Sequence, residues 1–312
     1  MINFSPFKAL FKLIRYFKKH KIDVIHANGS RVCLYAGISG KILKIPSIWH
    51  VRETLKDFYW YDLFLGIISS RIICVSKSVQ RKRFSRFGKF LNKKIVIIYN
   101  GVDTEIFKKN IYDRKKLRKK LGLQNQLLLG IVGNFVPLKG QDIFIKGFAD
   151  AKSKYLQLNA KVLLVGRTLD SAYYESLIKL AEHLNLKTDI IFKPYSFEII
   201  KILSALDVFA LPSIREGFNR SILEAMSCSL PIIATKISAI EEAITNNKNG
   251  LLFDPMNIEQ ISKAIIKICT NESMRHKMGK HNQSIVDNKF NLLTHVKNIE
   301  SFYSMTVKKN DI

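Results

Sequence analysis

The chain has no long apolar run. Its best candidate, FLGIISSRIICV (64–75), is short and carries Arg71 in its middle, which excludes a membrane-spanning helix of ordinary length. Cysteine is sparse: Cys33, Cys74, Cys228 and Cys269 stand far apart, with no CxxC pair and no Cys/His cluster. That spacing carries no signature of a disulfide framework or a zinc site, and a reduced, cytosolic, metal-free protein is expected. No secretory leader is expected either. MINFSPFKALFKLIRYFKKH scatters its charges instead of setting a basic head before an apolar stretch.

Acidic residues are also few. Asp and Glu number 25 against 51 Lys and Arg, a formal charge of +26. Residues 1–100 hold 20 basic and 4 acidic side chains, so +16 of that excess lies in the first third, much of it in FKLIRYFKKHK (11–21) and RKRFSRFGK (81–89). Such a face is either a solvated surface or one that meets anionic partners: acidic lipid headgroups, sugar phosphates or nucleic acid. No helix-turn-helix, RRM or zinc-finger pattern accompanies the charge, so no nucleic-acid partner is expected.

What is present is apolar residue in short pieces, 47% of a 312-residue chain, enough for two domains. Strand-like runs occur at DVIHA (23–27), PSIWHV (46–51), RIICVS (71–76) and KIVIIY (94–99). They resume at LLLGIVG (127–133), KVLLVG (161–166), DIIFK (189–193), DVFALP (207–212), PIIAT (231–235) and GLLF (250–253). Continuous apolar runs of this kind suit strands covered on both faces. Helix-period segments such as 141–156 and 171–186 lie between them. The alternation predicts an α/β protein of two Rossmann-like, doubly wound parallel-sheet domains, with ligand at the carboxyl ends of the strands. The polar, strand-free stretch 104–126 separates the two groups. The expected division is 1–110, 111–289, and a terminal helix, 290–312, crossing back toward the first domain.

The chemistry concentrates in SIREGFNRSILEAM (213–226). A buried strand ends, Gly217 permits a tight turn, and Asn219 is placed to cap the helix that follows. The free N–H groups of that helix start form an anion site. Glu216 stands in the loop and Glu224 about one turn inside the helix. Carboxylates accept hydrogen bonds from hydroxyls. An anionic centre flanked by hydroxyl-rich groups is therefore the ligand these residues suit, and a nucleotide-diphosphate sugar is such a molecule. A capped surface helix with two incidental glutamates is the alternative. The turn GIVGNFVPLKGQD (130–142) adds Gly133, Asn134 and Lys139 at another strand end, where Lys139 supplies the counter-charge to a diphosphate.

With both pieces quoted, the chain resembles the retaining glycosyltransferases of family 4, which have the GT-B fold of two facing Rossmann-like domains. Their E-x7-E element matches EGFNRSILE (216–224), and the segment after it appears as EAMSCSLPIIAT (224–235). The likeness extends through LLVGR (163–167), NGLLFDP (249–255) and IYNGVDTEIF (98–107). The resemblance implies that Glu216 contacts the transferred sugar and Glu224 the ribose hydroxyls. It implies that Lys139, with the amides of Phe218, Asn219, Arg220 and Ser221, holds the diphosphate, and that His50 at the end of PSIWH serves the sugar from the first domain. It further implies front-face displacement with retention and no metal or other cofactor, the nucleotide-diphosphate sugar being substrate. The expected partners are that donor and a glycan or lipid-phosphate-linked acceptor, in lipopolysaccharide or other cell-surface polysaccharide synthesis. The expected location is cytoplasmic, with an anionic membrane surface as a further partner of the basic face. A non-catalytic nucleotide-sugar-binding or scaffold subunit is the alternative.

Three departures from the family pattern stand out. Asn134 occupies a position that is often arginine, and Ser238-Ala239 replaces a Gly-Gly turn. The third is at the start, where a helix-like segment stands and the family's first strand and glycine-rich loop are not found. The first domain is therefore expected to be incomplete, with the missing part absent from the polypeptide as given, supplied by a partner, or lost. The opening segment sets Phe7, Leu10, Phe11, Ile14 and Phe17 along one side. That face suits either packing as a crossover helix or an anionic membrane surface.

Overall fold

A computed structural model describes residues 6–53, 59–195 and 198–308. Residues 1–5 of the opening segment and Ser196, in the FKPYS run (192–196), lie outside the described residues. Two compact units form, one of Met1–Asn100 with Leu293–Ile312, the other Gly101–Leu292. The first division thus falls at residue 100 rather than 110. The charge-dense stretch 104–126 belongs wholly to the second unit, and the reason is a bound helix described below.

The first unit holds β1 (Ile25–Asn28), β2 (Ser47–Val51), β3 (Arg71–Cys74) and β4 (Ile95–Ile97). They pair in parallel in that order. Their helices are α1 (Pro6–Lys19), α2 (Ser30–Leu43), α3 (Tyr59–Ile68), α4 (Lys77–Phe84) and α5 (Gly88–Asn92). The apolar side of α1 does not act as one face. The helix packs on α2, which leaves Leu10, Ile14 and Phe17 half-buried, whereas Phe7 and Phe11 stay 74% and 71% exposed.

The second unit holds β5 (Leu127–Val132), β6 (Ala160–Gly166), β7 (Ile190–Pro194), β8 (Val208–Leu211), β9 (Ile232–Thr235) and β10 (Gly250–Phe253). All are parallel, in the order β10-β9-β8-β5-β6-β7. Its helices are α6 (Ile111–Lys120), α7 (Gln141–Lys154), α8 (Ser171–His183), α9 (Ile199–Ala205), α10 (Arg220–Ser227), α11 (Ser238–Glu241), α12 (Ile258–Thr270) and α13 (Glu272–Lys289). The Ser238-Ala239 turn opens the short α11. The chain then returns to the first unit through α14 (Leu292–Lys308), whose Phe302 packs with Ile48, Ile73 and Ile98.

The order of the second sheet carries a topological switch. From β5 the chain adds β6 and β7 on one side, then crosses to lay β8 on the other. At such a point the loops leaving two neighbouring strands diverge, and a crevice opens at their carboxyl ends. The core beneath is aliphatic and aromatic, with Leu129, Ile131, Phe144, Phe148, Val162 and Leu164 buried together. Glycines let backbones close on one another at that edge. A Cβ on Gly166 would stand 2.0 Å from the Gly133 carbonyl oxygen. Gly140, at φ +66°, would put one 2.2 Å from the Pro212 carbonyl oxygen.

Asp207, just before β8, holds α6 to the unit. Its Oδ1 accepts from Arg114 Nη2 at 2.6 Å, and its Oδ2 accepts from Arg118 Nη1 at 2.9 Å and the Leu128 amide at 2.8 Å. This anchor keeps a helix with no buried residue of its own on the second unit. Removing the carboxylate leaves two largely buried guanidinium groups without their counter-ion. Asp207→Ala is expected to lose about 3 kcal/mol of unfolding free energy, read by urea denaturation.

Candidate functional site

The loop leaving β5 and the loop leaving β8 meet at the switch point. A 3-10 turn, Pro137–Lys139, follows β5 and ends on the left-handed Gly140. Gln141, fully buried, donates from Nε2 to the Asn134 carbonyl at 3.0 Å and fixes the turn. Across the switch point, Asn219 caps α10, its Oδ1 accepting from the amides of Ser221 at 2.8 Å and Ile222 at 3.3 Å. Its Oδ1 also accepts from Ser221 Oγ at 2.6 Å. Phe218 is buried and lies 5.3 Å, ring to ring, from Phe290. Arg220 at the helix start is exposed.

Lys139 and Glu216 are brought together. Lys139 Nζ donates to Glu216 Oε1 at 2.6 Å, and Asn219 Nδ2 donates to the same oxygen at 2.9 Å. The pair is largely shielded, the glutamate side chain being 10% exposed and the lysine 24%. Lys139 is thus not a free counter-charge here: a neighbouring carboxylate already neutralises it. Its stem runs beside Gly133, with Cδ at 3.7 Å from where a Cβ would sit. Asn134 takes part through its backbone.

Glu224 differs from Glu216. It lies on α10, half-buried, with no hydrogen bond or ion pair to its carboxylate among the described residues. Burial raises its pKa above the usual glutamate value, and the Arg220 charge offsets part of that rise. An unpartnered, partly desolvated carboxylate is a strong acceptor for ligand hydroxyls. Sequence reasoning did not single out Gln141 or Ser213. The latter's hydroxyl is buried without a partner.

The first unit presents a second arrangement, built on His50. The residue ends β2 and is 4% exposed. His50 Nδ1 shares a hydrogen bond of 3.0 Å with His26 Nε2, and His26 Nδ1 shares one of 2.6 Å with the Tyr303 hydroxyl. If the phenol donates, the protons align so that His50 keeps an Nε2–H. If it accepts, Nε2 is bare. In both cases His50 Nε2 is buried with no partner among the described residues. Burial, then the charge of Arg52, pushes the His50 pKa down to about 3, so the ring is neutral at physiological pH. His26 and Tyr303 carry no local motif, and their separation of 277 residues leaves no periodic signal to find.

The fold is that of the GT-B glycosyltransferases. The crystal structure of HepE from Anabaena in complex with UDP matches at a TM-score of 0.88, with 24% identity over 95% of this chain and 82% of that one. Its UDP-glucose complex matches at 0.86, with 25% identity over the same shares. The chain itself belongs to the glycosyltransferases: residues 113–284 match the family model for glycosyl transferases group 1, and residues 3–106 that for glycosyltransferase family 4. It is 27% identical to the capsular polysaccharide biosynthesis glycosyltransferase CapM of Staphylococcus aureus, over 99% of this chain and 83% of the relative. It is also 27% identical to the UDP-Gal:alpha-D-GlcNAc-diphosphoundecaprenol alpha-1,3-galactosyltransferase of Escherichia coli, over 97% and 80%.

A buried neutral histidine makes stability depend on pH. Unfolded, His50 binds a proton below about pH 6.5; folded, it does so only near pH 3. Its contribution is therefore complete above pH 6.5 and is lost as pH falls toward 3. The expected slope is up to about 1.4 kcal/mol per pH unit in that window. His50→Gln should flatten the corresponding fall in melting temperature between pH 6.5 and 4.5.

Proposed function

We propose that the chain transfers a hexose, with retention at the anomeric carbon, from a nucleoside-diphosphate donor to a glycan or lipid-phosphate-linked acceptor in cell-surface polysaccharide synthesis. The observation that carries this reading is the half-buried Glu224, without a partner among the described residues, on α10, the helix that follows the loop carrying Glu216 and its shielded pair with Lys139 at the switch point of the second sheet. Cationic, amide and carboxylate groups alternate there as a nucleotide sugar requires. The activities of the relatives support it: one uses UDP-galactose on a diphosphoundecaprenol-linked sugar, and HepE was crystallised with UDP-glucose.

In this reading the donor diphosphate competes with Glu216 for Lys139. The amides at the α10 start share the phosphate charge, together with the α10 dipole, although that of Ser221, expected to be free, is held by the Asn219 side chain and has to be released first. Glu216, released, accepts hydrogen bonds from the sugar hydroxyls, while Glu224 accepts from the ribose. Asn134 and Gly133 shape the β5 side, with Gly217 allowing close approach on the β8 side. His50, held neutral, hydrogen-bonds the transferred sugar. The bond from the anomeric carbon to the diphosphate oxygen breaks as the acceptor oxygen bonds to the same face. The acceptor proton leaves with the departing phosphate oxygen. Lys139 and the helix amides stabilise that leaving group, a role that needs neither a metal nor another cofactor.

The proposed location is the cytoplasmic face of a membrane. Among the described residues no helix is long and apolar enough to cross a bilayer. The exposed Arg81, Lys82, Arg86 and Lys89 of the first unit would meet anionic lipid headgroups.

The donor site is tested by melting in the presence of UDP, GDP and ADP. One nucleotide, at about a hundred times its dissociation constant, is expected to add roughly 2.7 kcal/mol of stability. Glu224→Ala should weaken that nucleotide about tenfold or more. No shift with any of the three would remove the reading. For the chemistry, Glu216→Ala is expected to cost at least about a hundredfold in turnover, with wild-type turnover unchanged by EDTA. A non-catalytic subunit would show no transfer to lose. Reversing the charges of Arg81, Lys82, Arg86 and Lys89 should abolish sedimentation with phosphatidylglycerol vesicles, and unchanged binding would refute the membrane assignment.

A further inference from the structure

Three side chains of the first unit, separated by 24 and 277 residues, form one hydrogen-bonded series. Strand register explains how it begins. In the β1–β2 pairing His26 stands opposite Ile48, and Asn28 opposite His50. Side chains alternate along a strand, so His26, Ile48 and His50 share one face of the sheet, the two histidines on a diagonal. His26 Nε2 and His50 Nδ1 lie 3.0 Å apart. The same face is covered by α14. Phe302 packs with Ile48, Ile73 and Ile98, and the Tyr303 ring lies against that cluster. Packing thus sets where the Tyr303 hydroxyl stands, 2.6 Å from His26 Nδ1, its one hydrogen-bond partner among the described residues.

Chemistry gives the series a direction. At 2.6 Å the Tyr303–His26 contact is too short for the ring N–H to donate to the phenol oxygen, where about 2.7–3.2 Å is usual. The phenol is also the stronger acid of the two and the imidazole nitrogen the stronger base. The hydroxyl therefore donates, and His26 Nδ1 is bare. A neutral imidazole carries one N–H, so His26 is protonated at Nε2 and donates to His50 Nδ1. That nitrogen is bare in turn, and the His50 proton lies on Nε2, the buried atom without a partner among the described residues. Both rings stay neutral: burial first, then Arg52, with His295 adding to it, opposes a further positive charge. With one proton per ring, the phenol at one end decides which nitrogen is protonated at the other.

We propose that Tyr303, acting through His26, is a positioning residue that fixes His50 as its Nε2–H tautomer, so that His50 donates a hydrogen bond to an oxygen of the transferred sugar and is not a base toward it. The sugar contact rests on the proposed function, whereas the tautomer depends on the first unit alone. Adjacent positions of α14 divide the work: Phe302 fastens the helix to the sheet, and Tyr303 sets the proton of a strand residue.

The test reads the ring nitrogens directly. In the full nitrogen-15-labelled chain without ligand, at about pH 7.5, long-range proton–nitrogen correlation is expected to show His26 and His50 protonated at Nε2. Tyr303→Phe keeps the ring and removes the hydroxyl, and it should turn His50 into a mixture of both tautomers. In transfer assays the same variant is expected to lower kcat and kcat/KM together, about tenfold. His50→Gln keeps an amide N–H donor that has no tautomer to set. In that background Tyr303→Phe should cost less than about twofold. A purely structural role would give the same loss in both backgrounds and would overturn the proposal. A wild-type His50 protonated at Nδ1, or a tautomer that Tyr303→Phe leaves unchanged, would overturn it as well. A wild-type chain that transfers no sugar removes the proposed function and the sugar contact with it, while the ring signals, taken without ligand, still decide the tautomer.

Discussion

The second unit is organised around the crossing of the chain from β7 to β8. That crossing makes β5 and β8 neighbours, with Gly130 set against Phe209. It therefore puts the loops that leave them side by side. Lys139 comes from one and Glu216 from the other, and their ion pair closes the gap. Backbone contact underlies the geometry. Gly166 packs on Gly133, and Gly140 packs on Pro212, at separations that admit no Cβ. The lysine is held at the glutamate because the backbone beneath it has little room to move. Any substitution that thickens this edge acts on the site without touching it.

In the proposed function the same pair accounts for a selective phosphate site on a very basic protein. Lys139 is not left bare to collect any passing anion. Its charge is balanced by Glu216, which Asn219 also holds, and in the proposed function an arriving diphosphate displaces that carboxylate. In that proposal displacement frees the glutamate for hydroxyl groups, which couples charge exchange to sugar recognition. Glu224, lacking any such partner, waits as a ready acceptor whose burial raises its pKa. Two glutamates eight positions apart thus sit in opposite electrostatic states.

In the first unit the tail of the chain completes what the strands begin. Tyr303 on α14 reaches His26, and His26 reaches His50. Phe302 on the same helix packs with Ile48 and Ile73 from the strands beneath. The packing that holds the helix also holds the hydrogen-bond series. A buried histidine with one unpartnered nitrogen survives because this series orients the ring and because desolvation, with Arg52 near, keeps it neutral.

All ten strands of the described residues lie within or beside the apolar runs that announce them, and Asn219 caps α10 as its side chain suits it to do. These features were legible because they depend on neighbours within a few residues: apolar continuity for a strand buried on both faces, and a short acceptor at a helix start. The boundary at residue 100 was not legible. The 104–126 stretch is bound to the second unit by Asp207, about a hundred residues further on. Nor was the split face of α1, which depends on where α2 passes. The Lys139–Glu216 pair and the His26–Tyr303 contact are likewise long-range. What the sequence by itself determined was which elements form and which residue types stand at their ends. Which of those ends meet was decided by strand order and helix packing, because an ion pair or a hydrogen bond acts across a few ångströms of space and is blind to distance along the chain.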